Sequence, residues 1–327
     1  MNLRVYSCIL ENNNLISKQM REAVLEVRGL SKSFGEVQAV KNLNLTILKG
    51  DVYGFIGPNG AGKTTSIRMI LSLIHSDSGA VKIFGNDLHR DFRRAIANVG
   101  ALVESPAFYP YLSAYKNLRL FGELSGGVSE ERVWEVLEMV GLTRRAKHKV
   151  RGYSHGMKQR LGIALALLHK PRLLILDEPT NGLDPQGIRE VRNLIRKISQ
   201  EEEITIFLSS HLLSEMEMVC NRIGIMYRGS LITEGEVDQL LGGEQDQAEI
   251  NVEDASRAKT FLEQKFPGLK LNLIKAGWLG FKKEKWELAD LNRELLQAGF
   301  VVHSISARRK NLEDLFVELT GESKDVY

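Results

Sequence analysis

A glycine-rich segment near the start of the sequence has the composition and spacing of a phosphate-binding loop. It fits the pattern G-x-x-x-x-G-K-[ST], and its residues are Gly57, Pro58, Asn59, Gly60, Ala61, Gly62, Lys63 and Thr64, followed by Thr65. Glycines at these places let consecutive backbone N–H groups point inward at the start of a helix, where they can hold phosphate oxygens. Lys63 could then neutralise the β- and γ-phosphates of a nucleotide, and the Thr64 hydroxyl could coordinate Mg²⁺. A chance glycine-rich turn is the alternative interpretation.

Two adjacent carboxylates are a second candidate for chemistry. Asp177 and Glu178 directly follow the apolar run Leu173–Leu176. That run predicts a buried strand whose carboxyl end lies where ligands bind in open α/β sheets. Asp177 could hold Mg²⁺ directly or through water, and Glu178 could orient and deprotonate an attacking water. Two exposed acids at a strand end are the alternative, but the phosphate loop upstream favours the catalytic interpretation.

The segments around these residues predict alternating strands and helices. The apolar run Val52–Ile56 leads into the phosphate loop, and residues 64–73 have the apolar spacing of a helix. Further strands are predicted at residues 24–27, 37–48, 81–84 and 204–208, and further helices within residues 113–140, 155–169 and 186–198. This alternation favours an α/β fold with a mostly parallel sheet covered on both faces.

A short motif before the carboxylate strand narrows the class of nucleotide-binding protein. Its residues are Tyr153, Ser154, His155, Gly156 and Met157. They resemble the signature Leu-Ser-Gly-Gly-Gln of the ABC ATPase family, and the resemblance to that family covers residues 24–234. Ser154 is placed to cap a helix that presents free N–H groups and a positive dipole end. The resemblance implies that this end meets the γ-phosphate bound by a second subunit, whereas an ordinary helix cap is the alternative.

Three other motifs of that family occur in the expected order. Phe34 matches the aromatic residue that stacks on adenine, although it could equally be a core residue. Residues 181–184, which end at Asp184, match the D-loop, and the resemblance implies that this loop carries communication between two nucleotide sites. His211 matches the switch histidine that contacts the γ-phosphate, while a lone histidine there would be structural. The agreement of several independent signals favours the functional interpretation.

One position departs from the family pattern. Glu104 stands where the family has the glutamine that contacts Mg²⁺ or water and the membrane partner. A carboxylate can still accept a water proton or approach the metal, so Glu104 is a candidate catalytic residue and metal ligand, but it adds negative charge beside Asp177 and Glu178. Glu104 and the following residues 105–112 resemble the branch that exports bacitracin, lantibiotics and related peptide antibiotics. Nearby aromatic residues predict either a docking surface for a partner's cytoplasmic helix or core packing; they are Phe108, Tyr109, Tyr111 and Tyr115.

The composition bounds the class of protein. With 327 residues, of which 43% are hydrophobic and 26% charged, the chain fits one large α/β domain and an appendage. A net charge of +3 is too small to indicate nucleic acid as the main partner. The two cysteines need no disulfide framework, so a reducing compartment is the simpler assumption. No apolar run approaches the ~20 residues that cross a bilayer, so a membrane process would need another polypeptide to supply the pore.

The sequence therefore predicts three parts and a fold class. Residues 1–21 are expected to be a disordered extension, residues 22–240 an ABC ATPase domain, and residues 241–327 a small accessory α+β domain without a chemical motif. The fold class is α/β, as in P-loop NTPases. The resemblance implies a RecA-like core with an antiparallel β subdomain and a helical subdomain.

The resemblance also implies a function. The chain would be the ATP-binding and ATP-hydrolysing subunit of an ABC transporter, using ATP and Mg²⁺, and closing as a homodimer around two nucleotides. It would lie peripherally at the cytoplasmic face of the cell membrane, with separate transmembrane permease subunits, and drive export of a peptide antibiotic or other drug. The alternatives are the same ATPase exporting Na⁺, lipid or polysaccharide, a non-transport ABC ATPase acting on ribosomes or DNA, and a binding module that no longer hydrolyses ATP. A single phosphate loop and the lack of a heptad run argue against the second of these, and Glu178 and His211 argue against the third.

Overall fold

The structure, a computed structural model, describes residues 21–104, 107–242, 247–282, 286–308 and 310–321. Except for Arg21, the predicted extension of residues 1–21 lies outside the described residues. The described chain divides into two compact units between Gly235 and Glu236, called here the N-terminal unit and the C-terminal unit. The sequence placed this boundary after residue 240, at the end of a short helix that the structure assigns to the C-terminal unit.

The elements of the N-terminal unit alternate between strands and helices. Its strands are β1 (Ala23–Phe34), β2 (Val37–Leu48), β3 (Val52–Ile56), β4 (Ser78–Ile83), β5 (Asn86–Asp87), β6 (Val99–Leu102), β7 (Leu173–Leu176), β8 (Thr205–Ser210), β9 (Arg222–Tyr227) and β10 (Ser230–Glu236). Its helices are α1 (Lys63–Ile70), α2 (Phe92–Ile96), α3 (Ala114–Leu124), α4 (Glu130–Met139), α5 (His155–Leu167), α6 (Pro185–Glu201) and α7 (Leu213–Val219).

Two sheets organise this unit. The central sheet has the strand order β10-β9-β3-β8-β7-β6, and strand β3 pairs in parallel with β8 and β9, as β7 does with β6 and β8. A separate antiparallel sheet has the order β2-β1-β4-β5. The predicted α/β fold with a mostly parallel sheet and an antiparallel β subdomain is confirmed.

The central strands bring the candidate site residues to one edge of the sheet. Every residue of β3 and β7 is buried, as expected for parallel strands that are covered on both faces. In the register, Ile56 lies opposite Ser210 and Leu176 lies opposite Leu208. Because β3, β8 and β7 are adjacent and parallel, the residues that follow them meet at their shared carboxyl edge.

The helices α3, α4 and α5 form the helical subdomain. Each begins at a serine whose hydroxyl accepts a backbone N–H three residues on, the standard N-cap bond. Some of the predicted aromatic residues pack against other rings, as the core-packing interpretation expects, and others are exposed, as the docking-surface interpretation expects. Phe108 and Tyr115 pack against Phe121 and Trp134, with ring centroids 6.3 and 5.1 Å apart, whereas Tyr111 is 72% exposed.

The C-terminal unit is an α+β arrangement with its own hydrophobic core. It contains α8 (Val237–Leu240), β11 (Gln247–Val252), α9 (Ala255–Lys265), β12 (Leu271–Lys275), β13 (Trp278–Lys282), α10 (Leu288–Gln297), β14 (Val302–Arg308) and α11 (Leu312–Thr320). Its antiparallel sheet has the order β12-β13-β11-β14. Within the part of the chain that the structure describes, no helix has the length and apolar character that a membrane span requires.

Gly100 lies where strand β6 approaches helix α5 closely. A Cβ at this position would lie 2.1 Å from the carbonyl oxygen of Ala166, and a helix backbone oxygen cannot rotate away. We expect Gly100→Ala to lower the free energy of unfolding by about 1–3 kcal/mol, as overpacked core substitutions do, measured by urea denaturation. The control Gly152→Ala, where an added Cβ meets no atom within 4 Å, should stay within about 0.5 kcal/mol of wild type. Equal stability of the two variants would contradict the close approach.

Candidate nucleotide-binding site

The phosphate loop joins β3 to α1 and lies directly against neighbouring backbone. A Cβ at Gly57 would lie 2.1 Å from the carbonyl oxygen of Met226, and one at Gly62 would lie 2.3 Å from that of Ala39. Gly62 also has a φ of +104°, which residues with a side chain rarely adopt. These two positions therefore require glycine. Helix α1 begins at Lys63, directly after the loop, so its first N–H groups are available to an anion.

The Lys63 ammonium is held at the centre of this loop. Its side chain is 5% exposed, and Nζ donates hydrogen bonds to the carbonyl oxygens of Gly57 at 2.7 Å and Pro58 at 3.2 Å. Nζ also lies 3.2 Å from Oε1 of Glu178. A buried cation needs such partners, and phosphate oxygens placed in the loop could serve in the same way.

Asp177, Thr64 and Ser209 form a compact group of oxygen atoms. Asp177 is 5% exposed, and its Oδ1 accepts hydrogen bonds from Thr64 Oγ1 at 3.2 Å and Ser209 Oγ at 2.5 Å. Carboxylate and hydroxyl oxygens are the ligands that Mg²⁺ prefers, so the residues present fit the ion that the sequence predicts. Ser209, which was not predicted, also accepts the backbone N–H of Glu178 at 2.9 Å. It therefore fixes both acids.

Glu178 contacts the predicted switch histidine. Nδ1 of His211 lies 2.8 Å from Oε2 of Glu178, and the Glu178 side chain is 17% exposed. Glu178 has a φ of +48°, a left-handed conformation that is strained for a residue with a side chain and tends to occur at functional sites. The carboxylate thus has His211 on one oxygen and Lys63 on the other.

Glu104 lies at the same cavity but is held by an arginine. A cavity of about 430 Å³ is lined by Thr64, Glu104, His155, Gln159, Asp177, Glu178, Asn181 and Gly182. Glu104 has a φ of +63°, and its carboxylate forms an ion pair with Arg68 of helix α1. The structure therefore places Glu104 near the two acids, while Arg68, which was not predicted, offsets its charge.

The signature motif and the D-loop lie side by side within one chain. The Ser154 hydroxyl accepts the N–H of Met157 at 3.2 Å and caps α5, as the sequence predicts. Nε2 of His155 lies 3.2 Å from the carbonyl oxygen of Asn181. Asp184 caps α6 by accepting the N–H of Gly187 at 2.9 Å. Gly156 follows His155 in the first turn of α5.

The remaining predicted residues are Phe34 and the other residues of the phosphate loop. Phe34, at the end of β1, is 53% exposed, so it is not a core residue. Nζ of Lys32 lies 5.6 Å from the centre of its ring. In the phosphate loop Asn59 and Gly60 are exposed and Ala61 is buried, and Thr65 lies half-buried in α1. The exposed aromatic ring of Phe34 is of a kind that can stack on a planar base.

Comparison with known proteins agrees with the class that the fold and site define. A family model described as "ABC transporter" matches residues 40–181. The chain is 43% identical to the uncharacterized ABC transporter ATP-binding protein YhcH of Bacillus subtilis (strain 168), over 93% of this chain and 98% of that protein. The chain therefore belongs to the family of ABC transporter ATP-binding proteins.

Particular relatives carry more specific names. The bacitracin transport ATP-binding protein BcrA of Enterococcus faecalis is 40% identical over 92% of this chain and 97% of its own length. The lantibiotic transport ATP-binding protein SrtF of Streptococcus pyogenes is 44% identical over 66% of this chain and 92% of its own length. A solved dimeric post-hydrolysis state of the ATP-binding cassette MJ0796, bound to ADP and phosphate, has a TM-score of 0.58 and 27% identity, covering 65% of this chain and 98% of that one.

Proposed function

We propose that this chain binds and hydrolyses ATP as a homodimer and thereby drives export of a peptide antibiotic through a separate permease. The observation that carries the proposal is the position of Glu178, whose carboxylate lies between Lys63 and His211 beside the phosphate loop. This is the place where a general base would meet a water molecule attacking the γ-phosphate. Membership of the ABC transporter ATP-binding family supports the same reaction.

The residues of the site have separate tasks in this proposal. Thr64 and Asp177 would hold Mg²⁺, which would supply positive charge to neutralise the phosphate oxygens. Phosphate oxygens would give Lys63 new partners, which leaves the Glu178 carboxylate to accept the proton of the attacking water. His211 would keep Glu178 in the required orientation, and the exposed ring of Phe34 would stack on adenine.

Two identical subunits would complete each other's site. The capped start of helix α5, with Ser154 and Gly156, would face the γ-phosphate held by the phosphate loop of the partner subunit. The capped helix presents N–H groups and a positive dipole end, which suit an anion. The solved dimer of the related ATP-binding cassette supports a dimer of this kind, and both sites of a homodimer would carry the full set of motifs.

The transporter context is also a proposal. The dimer would lie peripherally at the cytoplasmic face of the membrane, where Tyr109 and Tyr111, both exposed, would contact a cytoplasmic helix of the permease. Residues 22–240 would form the ATPase domain, and residues 241–327 would form an accessory domain. The proposed cargo follows from relatives that are named for bacitracin and lantibiotic transport.

The cargo is tested with the permease that co-purifies with this chain, reconstituted in lipid vesicles. We expect ATPase activity to rise when bacitracin or a lantibiotic is added, and the Glu178→Gln complex to show no such rise. Addition of Na⁺ or of a lipid without peptide is the control. Stimulation by Na⁺ or lipid alone would contradict the proposed cargo and favour an alternative substrate of the same ATPase.

A further inference from the structure

His155 connects the signature helix, which is α5, to the D-loop of the same chain through a hydrogen bond. It is the first residue of α5, and its Nε2 lies 3.2 Å from the carbonyl oxygen of Asn181. Because a carbonyl oxygen only accepts hydrogen bonds, Nε2 must carry the hydrogen and donate it. The D-loop backbone is close at this point, since a Cβ at Gly182 would lie 3.4 Å from the same nitrogen.

The D-loop continues this connection to the proposed catalytic base. The N–H of Asn181 donates a hydrogen bond to the carbonyl oxygen of Glu178 at 3.1 Å. Glu178 is held in a left-handed conformation, so the direction of its side chain depends on the backbone of this short turn. One residue, Asn181, therefore accepts from the signature helix and donates to the backbone of Glu178.

We propose that His155 is a positioning residue that couples the two nucleotide sites of the dimer. This inference rests on the proposed function, in which the start of α5 meets the nucleotide held by the partner subunit. A shift of that helix on nucleotide engagement would pull on Asn181 through the His155 hydrogen bond and adjust Glu178 in the chain's own site. The family signature has glycine at the position of His155, and glycine offers no side-chain donor. The coupling through a side-chain hydrogen bond to the D-loop is therefore limited to chains that carry a donor at this position.

The hydrogen bond from His155 fixes both the distance and the direction between the start of α5 and the D-loop. The next residue, Gly156, has no side chain that could reach the D-loop, and even an added Cβ there would lie 3.8 Å from Cδ2 of Leu183. Without the His155 donor, the D-loop would follow the start of α5 only loosely.

The test measures ATP hydrolysis by the full chain as a function of ATP concentration in four variants. His155→Gly and His155→Leu remove the donor, His155→Gln keeps a side-chain N–H, and His169→Leu changes an exposed histidine near the other end of α5. We expect wild type, His155→Gln and His169→Leu to show a Hill coefficient above 1, with a limit of about 2 for two sites. The Hill coefficients of His155→Gly and His155→Leu should fall to about 1, and the melting temperatures of both variants should stay unchanged.

The outcomes separate this inference from the function on which it rests. A Hill coefficient above 1 in all five proteins, or no cooperativity in a wild type that hydrolyses ATP, would overturn the coupling role and leave the ATPase intact. Failure of His155→Gln to restore cooperativity would also overturn it, because the donor would then not be the cause. A wild-type chain that hydrolyses no ATP, alone or with its permease, would remove the proposed function and the coupling with it.

Discussion

Glu178→Gln is expected to lower kcat for ATP hydrolysis by about 10²–10⁴-fold, the usual contribution of a general base. Glutamine keeps the shape of the side chain and can still contact His211, which lies 2.8 Å from the carboxylate in the wild type. It cannot accept the proton of the attacking water. ATP binding should persist because Lys63 and the loop N–H groups are unchanged. Steady-state phosphate release and equilibrium nucleotide binding measure the two effects separately.

The matched control is Glu202→Gln at the exposed end of α6, which should hydrolyse ATP at the wild-type rate. If Glu178→Gln also kept the wild-type rate, Glu178 would not be the base. Loss of both binding and hydrolysis would instead assign Glu178 to the structure of the loop, through its contact with Lys63.

Lys63→Ala is expected to weaken ATP binding by about 10²-fold, because hydrogen bonds to charged groups contribute about 1.5–3 kcal/mol each. The wild-type ammonium is almost fully buried between the loop carbonyls and Glu178. Alanine would remove the only positive side chain that the described residues place among these partners, so phosphate charge would be left without neutralisation. Fluorescent-nucleotide titration gives the dissociation constant directly.

Lys197→Ala, on the exposed face of α6, removes the same charge from a residue that does not line the site cavity and should bind ATP like wild type. An unchanged affinity of Lys63→Ala would contradict the assignment of the loop as the phosphate site. Thermal unfolding without nucleotide shows whether either variant loses its fold, so that weaker binding is not mistaken for unfolding.

The sequence predicted the bounds of a strand well where the strand ends at clear turn residues or charges. The bounds of β2, β3 and β7 agree with the structure for this reason. Strands β6 and β9 were not predicted. Gly100 lies inside the four residues of β6, and Gly224 follows shortly after the charged start of β9. Glycine lowers strand propensity, and both strands exist because neighbouring parallel strands pair with them.

The site residues that belong to local sequence motifs could be predicted. Asp177 and Glu178 follow β7, Lys63 and Thr64 open the helix after β3, and the structure brings these residues together. Ser209 could not be predicted, because its place in the site depends on the register between strands β7 and β8. Ser209 follows the residue opposite Leu176 and so lies beside Asp177.

The ion pair between Arg68 and Glu104 escaped prediction for a related reason. The two residues lie on helix α1 and in the segment after β6, far apart in the sequence. Neither side chain has a motif that points to the other. Only the tertiary fold, which depends on the whole sheet, brings Arg68 of α1 to the segment after β6.

The claim on which the account depends is that ATP closes two copies of this chain around nucleotide. Light scattering on a sizing column, with the Glu178→Gln protein and ATP–Mg²⁺, tests it most directly. We predict twice the monomer mass of 36.8 kDa with ATP and the monomer mass with ADP. A strictly monomeric protein under both conditions, also with the permease supplied, would contradict the account.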